Sequence, residues 1–143
     1  MSRVINTESV GKERTQLIRS VVLALRELLK KGDVDDETRD LAAYITLALA
    51  SIFRTIDISV SAWEKRGYWV KADRFRMDWI WTDTLGRALR NALTVEDWSS
   101  VAMISAQIMQ KLKDIDVPQR HRIGAPWIGA WVKLQSDIRS QAK

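Results

Sequence analysis

Apolar residues recur every three or four positions along most of the chain, the spacing of helices that bury one face. The first stripe is Val10, Leu17, Ile18, Val21, Val22, Leu25, Leu28 and Leu29. It predicts a helix from Thr7 or Ser9 to about Lys31. Lys30 and Lys31 would fall in its last turn, and Gly32 would fit a left-handed C-terminal cap. The second stripe is Leu41, Ile45, Leu49, Ile52, Ile56, Val60 and Trp63, entered through the acids Asp33, Asp35, Asp36 and Glu37 and stopped at Gly67. About 30 residues at 1.5 Å each give a rod of roughly 45 Å, the longest of the chain. Residues 56–61 alternate like a strand, but a lone strand would have no partner. The expectation there is a helix with room for a kink.

A third helix is expected from about Tyr68 to Ala92. The fourth is expected from Thr94-Val95-Glu96-Asp97, which has capping-box spacing, to Pro118. Its stripe is Val95, Trp98, Val101, Ala102, Ser105, Ile108, Met109, Leu112 and Ile115. After a loop at 116–125, Pro126 fits the first turn of a last helix with Trp127, Ile128, Trp131, Val132, Gln135 and Ile138 on one side. The predicted fold class is all-α: an antiparallel bundle of four main helices with a long second helix, or five helices if the last segment packs separately. Residues 1–143 are expected to form one domain, with residues 1–7 flexible.

The third helix stands out because it has two apolar faces. At about 100° per residue, Val70, Met77, Trp81, Leu85, Ala88 and Ala92 share one stripe. Tyr68, Ala72, Phe75, Trp79 and Gly86 lie opposite, with Trp69, Arg76, Arg87 and Arg90 to one side. The first stripe reads as core. Three readings compete for the second: the helix is central and packed on both sides by its own chain, or the aromatic and arginine-rich face is buried in a homo-oligomer or against a protein partner, or it is presented to a ligand. On the homo-oligomer reading Trp79→Ala weakens self-association without unfolding the chain. Trp63, Trp81 and Trp98 are placed on core stripes.

Composition then narrows the chemistry. The chain has no Cys, which removes disulfides, zinc–thiolate sites and cysteine nucleophiles. Net charge is +5, which raises the expectation of an anionic partner without demanding one. Residues 1–11 are polar and do not resemble a signal peptide, and no purely apolar run exceeds a few residues. No membrane association is therefore expected, and the cytoplasm is the expected compartment.

The densest local feature is residues 64–76, with five basic residues, two acids and three aromatics. Lys65, Arg66, Lys71, Arg74 and Arg76 interleaved with Tyr68, Trp69 and Phe75 could meet phosphates and stack bases of single-stranded nucleic acid. Helical spacing also pairs Asp73 with Arg76, Arg74 with Asp78, and Asp83 with Arg87, which would make the same segment a salt-bridged surface. A second basic cluster, Gln119-Arg120-His121-Arg122, reads as an exposed connector.

His121 is the one histidine, so di-iron carboxylate–histidine chemistry is excluded. The acids from Asp33 to Asp40 match no calcium-loop spacing, and capping accounts for them. No cofactor, metal ligand set or catalytic residue is expected, and an enzyme ranks third. A non-enzymatic interaction or assembly protein ranks first. Its expected contact residues are Lys65, Arg66, Tyr68, Trp69, Lys71, Phe75, Arg76, Trp79, Arg87 and Arg90. A nucleic-acid-associated protein using residues 64–76 ranks second.

Overall fold

A computed structural model describes residues 7–142 as an all-α bundle of six helical segments. They are α1 (Thr7–Leu29), α2 (Asp36–Lys65), α3 (Trp69–Trp79), α4 (Trp81–Thr94), α5 (Trp98–Lys111) and α6 (Ala130–Gln141). The expected flexibility at the N-terminus falls on residues 1–6, outside the described residues, and Thr7 already belongs to α1.

The second helix is the axis of the fold. Asp35 caps it with a full capping box: its carboxylate accepts from the Thr38 amide at 2.8 Å, and the Thr38 hydroxyl faces the Asp35 amide at 3.3 Å. The helix runs without a break through residues 56–61, with Ile56, Ser59 and Val60 buried. It ends in a left-handed turn at Gly67 (φ 82°), where the Gly67 amide donates to the Glu64 carbonyl and the Tyr68 amide to the Trp63 carbonyl. These are the two bonds of a Schellman motif, which needs a positive φ at that position.

Helix α2 packs against α1, α3, α4 and α6, so it is buried on several sides rather than along one stripe. Ala42, Ala43, Thr46, Ala48, Thr55 and Ser59 are therefore buried beside Leu41, Ile45, Leu49 and Ile52. That many-sided burial also makes α2 apolar nearly all round. By length and composition α2 is apolar enough to cross a membrane, with a best-window mean hydropathy of 1.5, although 56% of that window is buried inside the protein.

The third predicted helix is two, broken at Ile80. Thr82 supplies a cause: its hydroxyl donates to the Trp79 carbonyl at 2.7 Å, a side-chain bond that competes with the helical ladder. Beyond the break, Gly86 lets α4 approach α2 closely. A Cβ at Gly86 would stand 3.3 Å from Leu49 Cβ.

Other boundaries move for local reasons. Helix α1 stops at Leu29, its end tightened by i→i+3 bonds from the Lys30 and Lys31 amides, and Gly32 is not left-handed. The cap of α5 is Asp97, which accepts from the Ser100 amide, while Thr94 belongs to α4. Glu96 adopts the left-handed conformation (φ 50°) that closes α4.

Helix α5 ends at Lys111, before Pro118, because the chain turns to bury Leu112 and Val117. Helix α6 begins at Ala130, after a turn that contains Pro126. Turn and helix together bury Trp127, Ala130 and Leu134, whereas Ile128, Val132 and Gln135 face outward. Asp40 of α2 caps α6 across the fold, accepting from the Gly129 amide at 3.2 Å and the Trp131 amide at 2.9 Å.

Candidate functional site

The Schellman turn throws α3 back along the last turns of α2, and this decides which face of α3 looks inward. Ala72 is buried against α2, and Phe75 and Trp79 follow it inward as half-buried residues. The Trp63 and Phe75 rings meet edge-to-face at 4.9 Å between centroids. Phe75 continues to Trp79 at 6.4 Å, and Trp79 stacks with Trp81 at 6.0 Å. Arg14 of α1 reaches the same place. Its guanidinium lies 4.9 Å from the Phe75 centroid and donates to the Thr55 hydroxyl, the Thr55 carbonyl and the Ser59 hydroxyl. Burial pushes the Arg14 guanidinium below its ordinary value, and no carboxylate pairs with it among the described residues.

The aromatic face of α3 is thus packed within the chain, as the central-helix reading has it, and the stripe read as core turns outward. Phe75 and Trp79 contribute to packing, while Val70 and Met77, expected in the core, are 74% and 70% exposed. Beside them Tyr68 and Trp69 are 54% and 62% exposed. Trp69, Val70 and Met77 share a surface groove of about 630 Å³ with Glu64, Asp73, Arg74, Arg76 and Asp78. No other stretch of the described residues places three consecutive large apolar side chains, Tyr68, Trp69 and Val70, in solvent.

The charged residues divide into tethered and free. Arg76 is held by Glu64 at 3.2 Å and Asp73 at 3.8 Å. Arg87 pairs with Asp83 at 2.9 Å, and Arg90 donates to Gln141. Arg87 and Arg90 sit on α4, apart from Arg76, which borders the groove with Trp69. Lys71 is exposed, and its ammonium stands 4.6 Å from the Trp63 centroid. Lys65, Arg66 and Arg74 are exposed and form no ion pair among the described residues, so the expected Arg74–Asp78 bridge is absent.

Asp35, Asp36 and Glu37, at the start of α2, are occupied by cations. Lys31 binds Asp35 at 2.8 Å and Glu37 at 3.1 Å, which raises its own value. Hydrogen bonds from Lys31 and then from Thr38 hold the Asp35 carboxyl well below the usual carboxylate range. Arg39 spans Asp36 at 3.7 Å and Glu96 at 3.1 Å. His121 is half-buried in its loop, with Nδ1 accepting from the Ile123 amide at 3.3 Å, and its neighbours Arg120 and Arg122 are exposed. Of the tryptophans, Trp127 is the most buried, while Trp63, Trp81 and Trp98 are half-buried against the core.

Sequence reasoning missed the outward turn of Val70 and Met77. The signal that could have found it is the pair of small residues, Ala72 and Gly86, which marks the face that must approach another helix closely. No family model, curated protein or solved structure matches the chain.

Proposed function

We propose that this chain is a non-enzymatic interaction protein that self-associates through the outer face of α3. The observation that carries the reading is the exposure of Trp69, Val70 and Met77 on one helix face, rimmed by charges of both signs. Contiguous exposed apolar residues with a polar rim mark interaction sites. The rim favours a second copy as the occupant. Arg74 and Asp78 stand one helical turn apart and leave each other unpaired, so a two-fold axis could pair each with its counterpart across the interface. The reading assumes a chain in the cytoplasm.

Light scattering after size exclusion tests it. The wild-type chain is expected to run as a dimer at low and high salt, since apolar association resists screening. The Val70→Glu/Met77→Glu double variant is expected to run as a monomer with unchanged circular dichroism. A monomeric wild type, or a variant that remains dimeric, refutes the reading.

A nucleic-acid-associated protein is the second reading, favoured by free Lys65, Arg66 and Arg74 beside exposed Tyr68 and Trp69. Asp73 and Asp78 in the same groove count against it, because they repel phosphates. Binding of a short single-stranded oligonucleotide that falls steeply with salt would favour this second reading over the first.

A further inference from the structure

Helices α5 and α6 are joined by residues 112–129, a connection of unusual length with no regular structure of its own. Such segments in compact folds commonly serve binding. This one is fixed in place. Val117 and Trp127 are buried, Arg26 donates to the Val117 carbonyl at 2.9 Å, and Asp40 holds the Gly129 amide. Its second half closes one side of a cleft of about 550 Å³ with Arg122, Ile123 and Pro126. The other walls are Glu13, Gln16, Leu17, Arg19 and Ser20 of α1 and Tyr44 of α2. This size suits a small organic ligand.

We propose that this cleft binds a small amphipathic carboxylate, with the apolar body inside and the carboxylate at the rim. The polar groups decide that orientation. Ser20 is 5% exposed; its hydroxyl donates to the Leu17 carbonyl at 2.7 Å and lies 2.7 Å from the Tyr44 hydroxyl. Ser20 has one proton, and it is used on Leu17, so Tyr44 donates to Ser20. The hydroxyl donors of the inner wall are therefore spent, and that wall offers an anion nothing. Leu17 on α1 and Ile123 and Pro126 on the loop wall supply apolar surface instead.

The free charged donors are the guanidiniums of Arg19 and Arg122, both exposed and in no ion pair among the described residues, with the neutral carboxamide of Gln16 beside them. A guanidinium matches a carboxylate in plane and spacing. Glu13 sets the charge class: two arginines against one glutamate leave a single net positive charge, which suits a monoanion better than a phosphate dianion.

Calorimetric titration of the full chain with sodium octanoate tests the assignment. One saturable site is expected. Arg19→Ala and Arg122→Ala should each weaken it at least about tenfold, the fold-change of one lost charge-assisted hydrogen bond. Ile123→Trp, on the loop wall, should abolish binding by filling the cleft, with circular dichroism confirming the fold. Octylamine, equal in length and opposite in charge, should not bind. Met103→Glu, on the exposed side of α5, should leave the affinity unchanged.

Four results would each overturn the proposal: no saturable heat with octanoate, full affinity in both arginine variants, equal binding of octylamine, or loss of binding in Met103→Glu. The self-association reading does not bear on any of them.

Discussion

Asp40→Ala removes one carboxylate and is expected to loosen a whole end of the fold. Asp40 is half-buried on α2, and each of its oxygens receives one backbone N–H, from Gly129 at 3.2 Å and Trp131 at 2.9 Å. Both amides belong to the start of α6, which has no side-chain cap of its own because its N-cap is Gly129. Losing an N-terminal cap costs about 0.5–2 kcal/mol. Hydrogen bonds to a charged acceptor contribute about 1.5–3 kcal/mol each when shielded. Water can reach the Gly129 amide, so the second bond is worth less, and about 2 kcal/mol is the expected loss for the pair.

With a urea dependence of about 2 kcal/mol per molar, the unfolding midpoint should fall by about 1 M, and Tm by about 6 °C. Asp40→Asn keeps one acceptor oxygen and loses the charge, so it should fall about half as far. Hydrogen exchange adds location: the Trp131 amide should lose protection before the amides of α2. An alanine variant whose midpoint stays within about 0.2 M of wild type, well inside the expected shift, would refute the capping account.

Three further outcomes follow from the same structure. Gly86→Leu forces a side chain into the α2–α4 contact, where Leu49 Cβ already stands 3.3 Å from the position of a Cβ; overpacking should lower stability by about 1–3 kcal/mol in urea unfolding. Trp79→Ala should destabilise the chain by about 3 kcal/mol, because the indole packs between Phe75 and Trp81. Oligomeric state measured below the unfolding transition should not change. Asp35 has a folded-state carboxyl held below its ordinary value of 3.8, so its contribution is present above that pH and is lost as pH falls through the depressed value. Asp35→Ala should therefore be less stable than wild type at pH 7, and urea midpoints of the two should converge as pH drops below about 4.

The helices built on one strong stripe were legible in the sequence, and those that depend on distant partners were not. The stripe from Leu41 to Trp63 specifies α2 because every residue in it meets another helix. The third helix shows why periodicity alone falls short: it marks two apolar faces and carries no sign for which one is inside. That sign came from volume, since Ala72 and Gly86 admit α2 and bulky Val70 and Met77 do not sit there. The start of α6 was displaced from Pro126 to Ala130 because its cap is a side chain on α2, a contact invisible to any local rule. The cleft was hidden for the same reason. Glu13, Tyr44 and Arg122 lie far apart in sequence, and none of them is unusual in its own segment.

Arg14 explains how these parts hold one arrangement. It lies on the same turns of α1 as Glu13 and Leu17, which line the cleft, yet its guanidinium points across to Thr55, Ser59 and Phe75. A charge drawn out of water without a carboxylate is costly, and burial does weaken its hold on the proton. The arrangement persists because three oxygens and the face of a ring supply partial negative charge in its place. A carboxylate there would bind more strongly but would have to be buried too. Neutral partners avoid that second desolvation. They also require α1, α2 and α3 to be in register together, since no single helix supplies more than part of the cage. The inner face of α3 is thereby pinned through Phe75, which leaves its outer residues, Trp69, Val70 and Met77, with nothing among the described residues to cover them.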